Sequence, residues 1–265
     1  MISAMCRFMH SLIKKRMFWI SAAAIMLVLG LLACQWILER GRSLATLEKE
    51  CEAGLHVQWH LPSWAESQPY LARLWPGSTL GKVQVDYPMK DAAALGDLLC
   101  HFGSLETLSI GAGEADEIHL LLSHCGSQPY LKSLLIFNVE VDDRILPVLA
   151  KWHSLETLAM VPNELTGEKF PSMPHLRSID MAYTRINDRG LVQLASCPAL
   201  ADLHFSSTSL ASTAIIQAVR AGSAHLRRLN LSNIELTDGK TASDQKKLME
   251  EVQQTAPMLK FDLSF

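Results

Sequence analysis

The sequence has few of the motifs that mark catalytic and metal centres. None of its six cysteines is spaced as Cys-x-x-Cys, which disfavours a zinc ribbon or a thioredoxin-like site. No Gly-x-Ser-x-Gly elbow occurs. Gly111-Ala-Gly113 is too short for a phosphate loop and lacks a following Lys-Ser/Thr. We therefore predict that the chain is not an enzyme and has no catalytic residue, no cofactor and no metal.

Charge is also sparse, and it is unevenly distributed. Charged residues make up 19% of the 265 residues and hydrophobic residues 49%, a balance that disordered chains do not have. Residues 1–38 contain four basic residues and no acidic one, so they carry +4. Because the whole chain carries −3, residues 39–265 carry −7. An acidic body repels phosphates, so we predict that no nucleic acid is bound.

Residues 17–38 contain no charged residue at all. As a helix they would span about 33 Å, close to the thickness of the hydrocarbon core of a bilayer. Lys14-Lys15-Arg16 precede this stretch, and Trp19 and Trp36 lie near its ends. The pattern predicts a basic cytoplasmic tail at 1–16 and a transmembrane signal anchor at 17–38. The chain would then be a single-pass membrane protein with its remaining residues outside the cytoplasm.

Three other interpretations of this stretch stay open. Leu31-Leu32-Ala33-Cys34 resembles a lipobox, so the chain could be a lipoprotein anchored at Cys34. A cleaved signal peptide is the second interpretation, although the apolar run is long for one. A buried core helix is the third, and the length and the basic flank fit it poorly.

From residue 80 onward one phrase recurs, Leu-x-x-Leu-x-Leu or a near variant of it. Its occurrences start at Leu80, Leu105, Leu131, Leu155, Leu176, Leu200, Leu226 and Met258. The first seven starts are 21–26 residues apart, and a period of 20–29 residues is typical of leucine-rich repeats. We predict an α/β leucine-rich-repeat solenoid at 80–265 with about eight strands. Parallel strands would form its concave face and helices or turns its convex face, and residues 39–79 would supply a juxtamembrane helix and a capping segment.

The repeat that starts at Leu176 shows how each unit is expected to fold. Ile179 and Met181 alternate with polar residues, which suits a strand that buries both. Thr184 would satisfy backbone groups in the turn after the strand. Asp188 would cap the helix that follows, and Pro198 would end it. Asn163 and Thr208 occupy the same position as Thr184 in neighbouring repeats. The repeat that starts at Leu155 is too short and too rich in proline for a full helix.

This pattern resembles the cysteine-containing, ribonuclease-inhibitor-like class of leucine-rich repeats. The segment 47–59, in which Gly54 leads towards Val57 and Trp59, is similar to one in bacterial membrane-anchored repeat proteins. In those proteins a tyrosine stands where Trp59 stands here. The resemblance implies a repeat fold that takes part in protein interaction. It supplies no catalytic residues.

The residues between the leucines of the phrase are expected to point outward on the concave face, where solenoids commonly bind. They form an apolar zone and a polar zone. The apolar zone comprises Leu135, Phe137, Ala159 and Val161, and the polar zone comprises Asp180, Asp202, His204, Arg228 and Asn230. Apolar exposure beside polar groups favours a protein partner. The alternatives are ordinary strand composition, or cover by an N-terminal segment.

Three functions follow from these observations. The favoured one is a membrane-tethered protein that mediates protein–protein interaction outside the cytoplasm, held to the membrane through residues 17–38. The first alternative is a structural envelope protein that self-associates through unpaired terminal strands. The second is a metal-dependent enzyme that uses Asp180, Asp202 and His204, since two carboxylates and an imidazole can ligate a metal.

The cysteines of the repeats suggest packing and not chemistry. Cys100, Cys125 and Cys197 occupy similar places near predicted helix ends, where buried thiols pack well. A Cys100–Cys125 disulfide between neighbouring repeats stays open, as does the state of Cys51. The identity of the partner, the biological process and the oligomeric state do not follow from the sequence.

Overall fold

A computed structural model of the chain describes residues 2–52, 54–60, 73, 79–101, 105–126, 128–238 and 242–263. The side chains of residues 2–25 and of a few element ends are outside this description, so the predicted basic tail at 1–16 is not tested. Most of the predicted capping segment, between 61 and 78, is also outside the described residues. The chain divides into two compact units, Met1–Leu47 and Glu48–Phe265.

The chain opens with a long helix, α1 (Ile2–Glu52). Among the described residues, none of the helices combines the length and the apolar character that crossing a bilayer requires. The predicted signal anchor at 17–38 and the single-pass localisation are therefore wrong. Cys34 is an exposed free cysteine on this helix.

The second unit contains a nine-stranded, mostly parallel sheet. Its strands are β1 (Leu55–His60), β2 (Thr79–Val85), β3 (Thr107–Ile110), β4 (Ser133–Val141), β5 (Thr157–Asn163), β6 (Ser178–Ala182), β7 (Asp202–Ser206), β9 (Arg228–Ser232) and β11 (Lys260–Leu263). They are neighbours in chain order, and every pair is parallel except β1 with β2. Two short strands, β8 (Ser209–Leu210) and β10 (Glu235–Leu236), pair separately.

Helices connect most of the strands and pack against one another. They are α2 (Ala92–His101), α3 (Ala115–His124), α4 (Leu146–Leu149), α5 (Asp188–Ala195), α6 (Ser212–Gly222) and α7 (Ala242–Thr255). A 3₁₀ turn at Asp143–Ile145 leads into α4. α2 packs against α3, α5 against α6, and α6 against α7. No helix is assigned between β5 and β6, as the prolines there predicted.

The core is a set of aliphatic rows that the strand register aligns. Leu108, Leu134 and Leu158 pair across β3, β4 and β5, and Ile179 and Leu203 continue the row. These side chains are almost completely buried. Burying each of them contributes about 1.5–3 kcal/mol relative to exposure, so stacking of neighbouring strands accounts for much of the stability. The prediction that Ile179 and Met181 face inward is confirmed.

The predicted fold class needs correction. The fold is a mixed α/β arrangement around the nine-stranded sheet, which fits the α/β part of the prediction. The remainder, a leucine-rich-repeat solenoid with an N-terminal transmembrane helix, is wrong: no described helix can span a membrane, and the sheet topology does not show a solenoid. The sheet also begins with an antiparallel strand, β1, which the repeating phrase does not include. A recurring apolar phrase specifies neighbouring strands, but it does not specify the shape that those strands build.

Candidate functional site

Alternation along the strands leaves one face of the sheet lined mainly by half-buried and exposed residues, although Ser109 and Ala159 on this face are buried. We call this surface the open face. The strand register arranges its residues in two rows across the sheet. One row is Lys82, Thr107, Ser133, Thr157, Ser178, Asp202, Arg228 and Lys260, and the other is Gln84, Ser109, Leu135, Ala159, Asp180, His204, Asn230 and Asp262.

The structure brings the predicted apolar zone together at the centre of the open face. Leu135 pairs in register with Ala159, and Phe137 pairs with Val161. Phe137 is 38% exposed, an unusual state for a phenylalanine on an ordered strand, whereas Ala159 is 7% exposed and adds little surface. The exposed apolar surface of this zone therefore comes from Leu135, Phe137 and Val161.

In the predicted polar zone, Asp202 and Arg228 form an ion pair with two hydrogen bonds. Arg228 Nε donates to Asp202 Oδ1 at 2.5 Å, and Nη2 donates to Oδ2 at 2.7 Å. The hydrogen bonds from Arg228 lower the pKa of Asp202, against the opposing effect of partial burial. Fork-shaped pairing of this kind fixes both side chains. The two residues thus form a closed polar unit on neighbouring strands.

Asp180 is less well satisfied than Asp202. It pairs in register with His204, whose Nδ1 lies 3.3 Å from Asp180 Oδ1. That distance allows an ion pair, and the imidazole supplies charge only when it is protonated. The pair lacks hydrogen-bond geometry, and Asp180 Oδ1 has no hydrogen-bond partner among the described residues. Asn230, next to His204 in register, accepts a hydrogen bond from Ser232 Oγ at 2.6 Å.

The polar zone does not offer a metal site. Within the part of the chain that the structure describes, no group of three or more His, Cys, Asp or Glu side chains is arranged to hold a metal ion. Asp202 directs its carboxylate at Arg228, so it does not join Asp180 and His204 as a ligand. The metal-dependent enzyme considered as an alternative has no donor set on this surface.

Charges also alternate beside the open face, at the position before each strand. Lys132 Nζ lies 3.6 Å from Glu106 Oε1, and Arg177 Nε lies 3.7 Å from Glu156 Oε2. These pairs are exposed, and exposed pairs contribute little to stability. The sequence analysis missed this row. The signal was the residue that follows the first leucine of each phrase, which alternates in sign over four successive repeats.

Four residues other than glycine have a positive φ: one lies at the irregular point within β4, and three lie in the turns directly after β6, β7 and β9. These residues are Asn138 (φ 59°), Tyr183 (54°), Ser207 (55°) and Asn233 (52°). This left-handed region disfavours most L-residues, and asparagine tolerates it better than most. Tyr183 is the bulkiest of the four, and it is 62% exposed. The sequence analysis did not find this row, because no glycine marks it.

The buried polar residues behind these turns are placed as predicted. Thr184 Oγ1 accepts from Ile186 N at 3.1 Å. Asn163 donates to Met160 O at 2.7 Å and accepts from Leu165 N at 3.0 Å. Both side chains thus satisfy backbone groups of the turn, which confirms the role predicted for these two residues. Thr208, at the same position in its repeat, is buried, but its Oγ1 has no hydrogen-bond partner among the described residues, so the role is not confirmed there.

The predicted cap of the helix after β6 is wrong by one residue. Asn187, and not Asp188, caps α5, since its Oδ1 accepts from Gly190 N at 3.0 Å. Asp188 Oδ1 instead accepts from Ala211 N at 2.9 Å, in the segment before α6. Asp188 therefore links two neighbouring connections and does not cap its own helix.

The described cysteines are all free thiols, so no Cys100–Cys125 disulfide is formed. Cys100 Sγ donates to the carbonyl oxygen of Cys125 at 2.5 Å. Gln128 Nε2 donates both to that oxygen, at 3.0 Å, and to Cys100 Sγ, at 3.3 Å. Burial raises the pKa of Cys100, Cys125 and Cys197. The packing role predicted for these three residues agrees with this arrangement.

Comparison of the sequence with models of known protein families and with curated proteins finds no match. The resemblance to cysteine-containing leucine-rich repeats therefore stays a prediction from the residues of this chain.

Proposed function

We propose that the chain is a non-catalytic binding protein that contacts another protein through the open face. The observation that carries the proposal is the exposure of Phe137 at the centre of an ordered sheet, beside Val161 and Leu135. Apolar side chains that stay exposed on a rigid surface and are bordered by polar groups are typical of protein-binding surfaces.

The polar residues beside this zone suit a border for such a contact. Asp202 and Arg228 satisfy each other, so a partner can cover them without leaving an unpaired charge. Asp180 lies next to the apolar zone, since its register neighbour on β5 is Ala159, and its side chain is 48% exposed. Charged groups placed in this way supply specificity more than affinity.

A photo-crosslinking amino acid at position 161 of the full chain tests the proposal. Position 217, exposed on α6, is the matched control on the helical side of the sheet. The proposal expects crosslinked protein adducts from position 161 and none from position 217. Equal adducts from both positions, or adducts from position 217 alone, would contradict it.

Self-association is the second candidate, and the position of β11 favours it. β11 is the last strand in the sheet order and pairs only with β9, so its outer edge has no strand partner among the described residues. An open edge is a template for pairing with another chain. Light scattering of the full chain distinguishes the two candidates. If the measured mass rises to that of a dimer with concentration, and Phe261→Pro prevents this rise, edge pairing is supported. A mass that stays at the monomer value at all concentrations excludes it.

A further inference from the structure

Tyr183 is held in a backbone conformation that its side chain does not favour. Its φ is 54°, in the region where glycine is free of steric cost and bulky residues are not. Its N–H donates to Ser206 O at 2.9 Å, and its carbonyl accepts from Asn163 N at 3.1 Å. Both neighbouring strands therefore fix this turn. The equivalent turns after β7 and β9 use the smaller residues Ser207 and Asn233, so the fold does not require an aromatic there.

Strained residues with exposed side chains are found most often where a protein binds or reacts. Tyr183 lies at the end of β6, beside the half-buried Val161-Pro162 segment of β5, and β4 with Phe137 comes next. Adjacent strands of a sheet lie about 4.8 Å apart, so β4 and β6, with β5 between them, are separated by roughly 10 Å. Phe137 and Tyr183 therefore lie on either side of one apolar stretch at the same end of the strands.

The charge next to this stretch is negative and partly exposed. Asp180 is on β6, three residues before Tyr183, and its side chain is 48% exposed. Its Oδ1 is buried and lies 3.3 Å from His204 Nδ1, so the exposed oxygen of this carboxylate is Oδ2. Residues 39–265 carry −7 in total, which favours a cationic partner over an anionic one.

We infer that the partner of the open face is an extended, basic segment of another protein. This inference rests on the proposed function of the open face. An apolar side chain of that segment packs between Phe137 and Tyr183, and an arginine or lysine pairs with Asp180. Neighbouring side chains on one side of an extended chain are about 6.8 Å apart. The apolar and the cationic residue are therefore two positions apart.

Selection of phage-displayed random dodecapeptides on the full chain tests this inference. The enriched peptides are expected to combine an aliphatic or aromatic residue with an arginine or lysine two positions away. Labelled peptides of that sequence are then titrated against variants by fluorescence anisotropy. Tyr183→Gly and Asp180→Asn are each expected to weaken binding by about tenfold or more, the effect of a single strong contact.

Two variants serve as matched controls. Ser207→Gly makes the same backbone change at the same φ in the next turn, and Asp262→Asn removes one carboxylate from the same row at the far end of the sheet. Both are expected to bind within about twofold of wild type. Tyr183→Gly should also melt no lower than wild type, because glycine suits this turn, so its loss of binding would not come from unfolding.

The outcomes separate this inference from the proposed function. If peptides bind and Phe137→Ala abolishes binding while Tyr183→Gly and Asp180→Asn do not, the inference is wrong and the open face is still the binding surface. Binding that also ignores Phe137→Ala would overturn both. Enrichment of acidic peptides, or of none, overturns the inference.

Discussion

Asp202 on β7 and Arg228 on β9 face each other in register, and Arg228 donates two hydrogen bonds to the Asp202 carboxylate, at 2.5 and 2.7 Å. The pair joins two neighbouring strands on the open face and is the most fully satisfied pair of charges there. Because the contact depends on the charge of Asp202, its contribution to the stability of the fold can be measured as a function of pH.

Arg228→Gln should lower the stability at neutral pH, and this loss should shrink in acid. The pKa of Asp202 is lowered in the folded chain. A carboxylate with a lowered folded pKa contributes stability that is present above its unfolded pKa and is lost as pH falls through the folded pKa. Urea midpoints of wild type and variant should therefore differ at pH 7 and converge near pH 2. A constant difference across this range would show that Arg228 acts through packing alone.

Leu158→Asp should unfold the sheet cooperatively. Leu158 is fully buried in the aliphatic rows, between Leu134 and Ile179. An unpaired carboxylate there should cost more than about 4 kcal/mol, a large part of the stability of a typical domain. Circular dichroism would show the loss. Thr157→Asp, one residue earlier on the half-buried side of β5, is the control; melting of Leu158→Asp within a few degrees of wild type would count against the stacked core.

Gly190→Ala should destabilise the short connection between β5 and β6. A Cβ at Gly190 would overlap the carbonyl oxygen of Thr166 and crowd the backbone of Gly167. Because α5 packs directly on this backbone, we expect a loss of about 1–3 kcal/mol in urea unfolding. Gly30→Ala is the contrasting variant, since no atom of the described residues lies within 4 Å of its added Cβ, and it should not reduce stability. Equal behaviour of the two variants would contradict the close contact.

Thiol labelling should separate exposed cysteines from packed ones. Cys34 is exposed, whereas Cys125 and Cys197 are buried and their thiol pKa values are raised, which keeps them protonated. Maleimide labelling with mass spectrometry of the peptides should find Cys34 modified first, and the two buried thiols only after unfolding. Prior treatment with a reductant should change nothing at these sites. Rapid native labelling of Cys125 would show that its environment opens readily.

The sequence predicted the parts of the fold that repeat. Leu134, Leu158 and Ile179 occupy the same position in successive phrases, so they are expected side by side on neighbouring strands. Within each strand, residues two apart share a face. The same rule placed Phe137 beside Val161 and Asp202 beside Arg228. Both pairs follow from position within the phrase, so no knowledge of the helices was needed.

Features that depend on the three-dimensional path of the chain were not predictable in this way. The uncharged run at 17–38 predicted a membrane span, but no helix among the described residues is long and apolar enough for one. Choosing Asp188 over Asn187 as the cap was an error of one residue, within the ordinary uncertainty of helix ends. Tyr183 gave no signal, because a tyrosine with positive φ looks like any other tyrosine in a sequence.

Binding through the open face is tested most directly by comparing two exposed apolar residues. Phe137 lies on the open face, and Met249 lies on α7 with a similar exposed fraction. Protein adducts from the photo-crosslinker at position 161 are measured in the full chain carrying Phe137→Ala or Met249→Ala. We expect Phe137→Ala to reduce the adducts by about tenfold or more and Met249→Ala to leave them unchanged. Adducts that persist equally in both variants would contradict the account.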